Sequence, residues 1–173
     1  MLRNSFCILL LFSSTVAQAI PEKEVLDLEE CQKQLYSSSP EIDCEIKFTN
    51  PKFAKDSMGF IDVLKCRASL RFHKGELMNK LNKLNKLQSD QKQTMDCEIT
   101  LAGKTKGFLT HLDLEPTVEF ENALVKNVKL GIKKATGVAP FIEELLKRYG
   151  NSEKFANISR KPVHEFIENL FGR

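Results

Sequence analysis

Residues 95–108 read MDCEITLAGKTKGF, and an earlier segment, residues 42–60, reads IDCEIKFTNPKFAKDSMGF. Both segments contain Asp-Cys-Glu-Ile, continue through a loop that carries lysines, and end in Gly-Phe. Apolar and polar residues alternate after each cysteine, which is typical of a half-buried β-strand. We therefore predict two similar strand–turn–strand units, each with a cysteine on its inward face and with the Asp and Glu on a solvated face.

Alternation and helical spacing extend this prediction along the chain. Residues 66–73 and 108–114 alternate like strands, whereas residues 21–36 place apolar side chains at the spacing of an amphipathic helix. A second helix is predicted where Asn-Lys-Leu occurs three times, with an apolar stripe of Leu77, Leu81, Leu84 and Leu87. Two further helices are predicted over residues 140–150 and 159–172, and residues 121–134 fit either a helix or a strand.

These elements predict an α+β fold stapled by disulfides. We expect an antiparallel sheet of about four to five strands, an N-terminal helix, one inserted amphipathic helix and a helical C-terminal third. The chain of 173 residues suits a single domain. Within it, the disulfides should lie in residues 20–100, and residues 121–173 should be rich in helix.

The first 19 residues have the parts of a secretory signal peptide. Arg3 precedes a short apolar run, and Ala17-Gln18-Ala19 forms a small-x-small cleavage signal. The apolar run is too short to span a bilayer, so we expect residues 20–173 to be secreted into the extracellular space without a transmembrane anchor.

Cysteines and one sequon fit this compartment. Five cysteines are present, and Cys7 is lost with the signal peptide. Four then remain for two disulfides, namely Cys31, Cys44, Cys66 and Cys97. We favour pairing between neighbours in sequence, Cys31–Cys44 and Cys66–Cys97, although the other two pairings stay open. Asn157-Ile158-Ser159 is a candidate glycosylation site.

Charge and motifs exclude several classes of function. The chain has 26 basic and 23 acidic residues, a balance that gives no reason to expect a nucleic-acid partner. His73, His111 and His164 lie in no metal-ligand or catalytic motif. The turn AGKTKG, residues 102–107, lacks the spacing of a phosphate-binding loop. We therefore expect no cofactor, no metal and no enzymatic activity. Grouping of His73 or His111 with a carboxylate in a cleft would favour a hydrolase.

Two groups of lysines are candidate contacts for an anionic surface, and the favoured interpretation is that they simply keep a helix and a turn solvated. They are Lys80, Lys83 and Lys86 on the predicted Asn-Lys-Leu helix, and Lys104 and Lys106 in the hairpin turn.

The sequence thus favours a secreted, non-catalytic binding protein with an extracellular protein partner. A carrier of a small apolar ligand, such as a lipid, is the alternative, because amphipathic helices on a sheet can enclose a cavity. The order of a helix followed by disulfide-linked antiparallel strands resembles secreted cystatin-type folds in outline. The Q-x-V-x-G protease-binding loop of that family is missing here, so a protease inhibitor is a further alternative only.

Overall fold

The computed structural model describes residues 23–83, 86–88, 93–121 and 124–172, and the predicted signal peptide lies outside them. The described strands are β1 (Val25–Asp27), β2 (Glu41–Asn50), β3 (Ile61–His73), β4 (Lys86–Gln88), β5 (Gln93–Leu101), β6 (Phe108–Leu114), β7 (Thr117–Glu121), β8 (Leu124–Lys129) and β9 (Ile132–Thr136). The described α-helices are α1 (Glu29–Leu35), α2 (Lys74–Lys83), α3 (Pro140–Gly150) and α4 (Glu153–Leu170). The predicted α+β fold with an antiparallel sheet and an inserted helix is confirmed. The described strands exceed the four to five expected, and β7, β8 and β9 occupy the start of the predicted helical third, before α3 and α4.

The strands form two antiparallel sheets. Six strands are ordered β1-β2-β3-β5-β6-β9, and three are ordered β4-β7-β8. Alternate residues of the six-stranded sheet are buried or exposed, so one face packs on the core and the other is solvated. The two predicted strand–turn–strand units are the hairpins β2–β3 and β5–β6.

The core lies between the inner face of the six-stranded sheet and the C-terminal helices. Its centre is aromatic: the rings of Phe53 and Tyr149 have centroids 4.7 Å apart, and those of Phe48 and Phe155 are 5.6 Å apart. Near the C-terminal end of α4, the ring centroid of Phe166 lies 5.9 Å from that of Phe72 on β3. α4 therefore covers the sheet along much of its length.

No helix in the described ranges has the length and apolar character needed to cross a membrane.

The N-terminal helix is shorter than predicted. Residues 25–27 form strand β1, in which Leu26 lies opposite Phe48 of β2. Helix α1 begins only at Glu29, whose N–H donates to Oδ1 of Asp27 at 2.8 Å. Asp27 thus satisfies one of the free N–H groups at the start of the helix, and pairing with β2 outweighs the helical spacing of the apolar residues before it.

The prediction of one helix through the Asn-Lys-Leu repeats was wrong at its end. Helix α2 ends at Lys83, and Leu87 lies in strand β4 opposite Val118 of β7. Leu84 lies outside the described residues. Asparagine is a poor helix former, so the repeat gives the helix little intrinsic stability against this strand pairing.

Both disulfides have the pairing that the spacing favoured. Cys31–Cys44 joins α1 to β2, and Cys66–Cys97 joins the neighbouring strands β3 and β5. All four cysteines are buried in the core. They fix the first half of the fold, and packing against it holds the C-terminal helices.

Candidate functional site

The loops of the two hairpins lie side by side. Because β3 pairs antiparallel with β5, the β2–β3 loop (residues 51–60) and the β5–β6 loop (residues 102–107) are at the same end of the sheet. The N–H of Ala102 donates to the carbonyl oxygen of Phe60 at 3.1 Å. The repeat therefore builds one continuous end surface from two loops.

The β2–β3 loop is held from beneath by two buried polar side chains. Nδ2 of Asn50 donates to Oδ2 of Asp56 and to Oη of Tyr149, both at 3.2 Å. Oγ of Ser57 donates to the carbonyl oxygen of Ile61 at 3.0 Å and accepts from its N–H at 2.9 Å. Asn50 and Ser57 are fully buried, so these bonds are shielded from water and fix the loop.

The outermost part of this loop is strained. Met58 has a φ of 53°, in the left-handed region, and Gly59 follows with a φ of 82°. That conformation costs roughly 1–2 kcal/mol for a residue other than glycine. The N–H of Gly59 donates to the carbonyl oxygen of Ala54 at 2.7 Å, which helps to hold the turn. The Met58 side chain is 71% exposed.

Phe60 and Phe141 form an exposed aromatic pair, and the exposed Met58 lies two residues before Phe60 in the same loop; we call these three residues the tip surface. Phe60 and Phe141 are about half exposed, at 48% and 51%. Their rings pack edge to face with centroids 5.2 Å apart. Phe141 lies in the first turn of α3, which begins at Pro140. The contact of its ring with Phe60 places this turn against the β2–β3 loop. Contiguous exposed apolar patches are uncommon on monomeric proteins, so the tip surface is a candidate contact surface.

Four exposed lysines flank the tip surface. Lys52 and Lys55 lie in the β2–β3 loop, and Lys104 and Lys106 lie in the neighbouring turn. No acidic residue in the described ranges forms an ion pair with any of them. The end of the sheet is therefore apolar at its centre and basic at its margin.

The five lysines proposed from the sequence do not form one surface. Lys104 and Lys106 lie beside the tip surface, whereas Lys80 and Lys83 lie on α2, which follows the far end of the 13-residue strand β3. Lys86 is on strand β4 instead of the predicted helix and pairs with Glu119 at 3.6 Å. Lys80 pairs with Glu76 at 3.5 Å.

His111 meets a carboxylate on the neighbouring strand. Nδ1 of His111 on β6 pairs with Oδ1 of Asp96, the residue opposite it on β5. Asp96 also lines an open polar cleft of about 410 Å³ where β3 and β5 diverge; the cleft is lined by Glu45, Arg67, Ala68, Ser69, Gln93, Thr94 and Asp96.

This pair lacks the surroundings of a catalytic site. The two side chains are 68% and 64% exposed, so water screens their interaction. In the described part of the chain, no hydroxyl or thiol group is hydrogen-bonded to Nε2 of His111. A histidine oriented by a carboxylate acts as a general base only on a group within hydrogen-bond reach, so the pair by itself gives little support to a hydrolase.

The remaining candidates lie apart from the tip surface. His73 is exposed at the end of β3, and Nε2 of His164 on α4 is 3.4 Å from Oε1 of Glu168. The sequon lies inside α4, with Asn157 exposed and Ser159 fully buried. Glycosylation of Asn157 stays a prediction.

The tip surface was not predicted from the sequence. Phe60 and Phe141 are 81 positions apart, and only the packing of α3 against the β2–β3 loop brings them together. The available signal was the repeat, since two similar hairpins in one antiparallel sheet place their loops at the same end.

No protein-family model, curated protein or solved structure matches the chain.

Proposed function

We propose that this chain is a secreted, non-catalytic binding protein that engages an extracellular protein partner through the tip surface. The observation that carries the proposal is Met58, an apolar side chain held exposed by a strained and internally hydrogen-bonded loop. Strain of this kind persists where the surrounding structure fixes it, and it is concentrated at functional sites.

The physical basis is preorganisation. A loop fixed by buried hydrogen bonds loses little conformational entropy when it binds, so more of the contact energy appears as affinity. Methionine and aromatic residues are enriched at the centres of protein interfaces. The flanking lysines fit the polar margin that surrounds such a centre.

Several features support an extracellular binding protein over the alternatives. Two buried disulfides suit an oxidising compartment. Aromatic rings of Phe48, Phe53, Tyr149 and Phe155 pack with centroids 4.7–6.0 Å apart in the core, which favours a filled interior over the cavity of a lipid carrier. A hydrolase has the weakest support, because the His111–Asp96 pair is solvated.

The test begins with identification of the partner by cross-linking the secreted protein in its native extracellular fluid, followed by affinity measurement with the purified partner. Exchange of Met58, Phe60 and Phe141 for serine should weaken binding at least 100-fold, since central interface residues each contribute about 2 kcal/mol or more. The control exchanges Tyr36 and Leu124 for serine; both are exposed apolar residues outside the tip surface, and binding should change less than about threefold.

Two results would contradict the proposal. Equal affinity of the serine variant and the wild type would place the interface elsewhere. Native mass spectrometry that shows a lipid bound to the secreted protein, and released on denaturation, would favour the carrier.

A further inference from the structure

A second open groove, of about 360 Å³, lies beside the β2–β3 loop. Three parts of the chain form it: the N-terminal segment before β1, the first residues of the loop, and the first turns of α4. Its lining residues are Lys23, Glu24, Pro51, Lys52, Lys55, Lys154 and Ile158. Four of these seven residues are lysines, which is unusual in a chain of nearly balanced charge.

The two acidic groups at this groove share one lysine, so the triad keeps one negative charge against the three positive charges of Lys23, Lys52 and Lys55. Nζ of Lys154 pairs with Glu24 and lies 2.7 Å from Oδ2 of Asp56. The two carboxylates are mostly buried, with side chains 15% and 16% exposed. This triad joins the N-terminal segment, the loop and α4, so Lys154 has a structural role in shaping the groove.

The other three lysines have no such role. Lys23, Lys52 and Lys55 are exposed, and within the described residues no carboxylate pairs with them. Side chains of these three lysines line one groove, which gives it an excess of positive charge. A ligand that carries several negative charges would be attracted to this groove and would release the counterions that the lysines hold.

The shape of the groove limits the kind of anion. A flat membrane surface cannot follow a concave groove, whereas an extended chain can lie in it. The groove is also open, and pockets for small molecules enclose most of their ligand. Pro51 and Ile158 provide an apolar floor against which sugar rings can pack.

We propose that this groove binds a sulfated polysaccharide chain, with the ammonium groups of Lys23, Lys52 and Lys55 contacting sulfate groups. The groove contains none of Met58, Phe60 and Phe141, although it shares Lys52 and Lys55 with the margin of the tip surface. Different variants therefore test the two proposals, serine at the three apolar residues for the tip surface and alanine at the three lysines for the groove. It would hold the secreted protein on an extracellular matrix while the tip surface remains free for its protein partner.

Heparin is the probe, tested with the full secreted protein by calorimetry at several salt concentrations. The variant Lys23→Ala/Lys52→Ala/Lys55→Ala should lose at least 30-fold in affinity at 150 mM salt. Its slope of log affinity against log salt should fall by roughly three, about one counterion for each lysine. Exchange of the same three lysines for arginine keeps the charge and should retain binding.

The control is matched in net charge. Lys83, Lys129 and Lys134 lie on other elements, and their exchange for alanine should leave heparin affinity within about threefold, since they do not line the groove. An equal loss in both triple variants would overturn the proposal, because it would show attraction to overall charge alone.

Two further probes separate the ligand classes. Chemically desulfated heparin keeps its carboxylates and should bind at least tenfold more weakly; equal binding would overturn the assignment of sulfate. Phosphatidylserine vesicles should bind weakly and independently of the three lysines. Vesicle binding that depends on them, with no binding of heparin, would overturn the proposal in favour of a membrane surface.

Discussion

Tyr149 shows at the scale of one residue how the core is linked to the loop that presents the tip surface. Its ring packs among Phe53 and Phe155, and its hydroxyl accepts a hydrogen bond from Asn50. Burial raises the pKa of Tyr149 above its ordinary value, because the phenolate would lose its hydration, and the charges of Glu24 and Asp56 act in the same direction. The folded protein therefore keeps this proton where the unfolded chain loses it.

This difference predicts a loss of stability at high pH. The contribution of Tyr149 is present in full below about pH 10, the ordinary tyrosine pKa, and decreases above it by about 1.4 kcal/mol per pH unit. The chain has two tyrosines and no tryptophan, so the Tyr36→Phe variant leaves Tyr149 as the only tyrosine. Its tyrosinate absorbance at alkaline pH should appear only together with unfolding, followed by circular dichroism.

The control for this titration is Tyr149→Phe in the otherwise unchanged chain. It should lack the part of the alkaline stability loss that comes from Tyr149, although it also loses the hydrogen bond from Asn50. It should keep the part that comes from Lys154, whose pKa is lowered by burial but raised overall by the hydrogen bonds to Asp56 and Glu24. Tyrosinate absorbance that rises near pH 10 in a still folded Tyr36→Phe protein would show that Tyr149 is accessible to solvent, and would contradict its burial in the core.

At the scale of the element, Gly131 explains why residues 121–134, whose sequence fitted either a helix or a strand, contain the two strands β8 and β9. It separates β8 from β9 and has a φ of 59°. A Cβ atom at this position would lie 2.1 Å from the carbonyl oxygen of Glu115. The N–H of Glu115 donates to the carbonyl oxygen of Gly131 at 3.0 Å. The two backbones must therefore be this close for β9 to join the edge of the six-stranded sheet.

Two glycine substitutions should separate backbone conformation from steric contact. Gly103 has a similar φ of 70°, but no atom lies within 4 Å of an added Cβ. Gly103→Ala should cost about 1 kcal/mol, the price of a left-handed residue with a side chain. Gly131→Ala should cost about 3 kcal/mol or more, because the backbone must also move. Urea unfolding of both variants measures the difference, and equal costs would show that the contact at Gly131 relaxes freely.

The sequence predicted those elements in which local pattern and tertiary packing agree. The alternation in β2, β3, β5 and β6 has the period of a strand, and each of these strands buries that face. The prediction failed where a partner distant in sequence decides: residues 25–27 pair with β2, and Leu87 pairs with β7. The last helix was predicted from residue 159, yet α4 begins at Glu153, where Oγ of Ser152 accepts from the N–H of Phe155, and Pro162 lies inside the helix.

The candidate site was less predictable than the fold for the same reason. The sequence showed that Lys104 and Lys106 lie in a basic turn. It did not show that this turn lies beside the β2–β3 loop and its exposed apolar residues. The groove lysines come from separate segments, and Lys154 differs from the other three only through its pairing with Glu24 and Asp56. Sequence shows which groups are charged, whereas pairing in three dimensions determines which of them remain available to a ligand.

At the scale of the whole molecule, the larger of two buried clusters joins parts of the chain that differ in their covalent restraint. Both disulfides lie before residue 98, so α3 and α4 are held without a cross-link. Their residues nevertheless share a single buried cluster with both sheets, which includes Phe48, Ile99, Val128, Leu146 and Phe155. Removal of the helices would expose the inner face of the sheet, so neither part has a complete core of its own.

This shared core predicts a single cooperative unfolding transition with the disulfides intact. In the Tyr36→Phe variant, the near-ultraviolet signal of Tyr149 reports on α3, and far-ultraviolet circular dichroism reports on all helices and strands. The two curves in urea should have the same midpoint and the same slope, as expected for two-state unfolding of a domain of this size.

The Leu146→Ala variant sharpens this test, because Leu146 is a fully buried residue of α3. Its truncation should cost 2–5 kcal/mol, as is typical of a buried leucine, and should lower both midpoints equally. A variant in which the Tyr149 signal is lost at lower urea than the strand signal would show that the C-terminal helices unfold separately. The disulfide-linked sheet would then be a stable unit by itself, and the tip surface, which needs Phe141 of α3, would form only when the helices are docked.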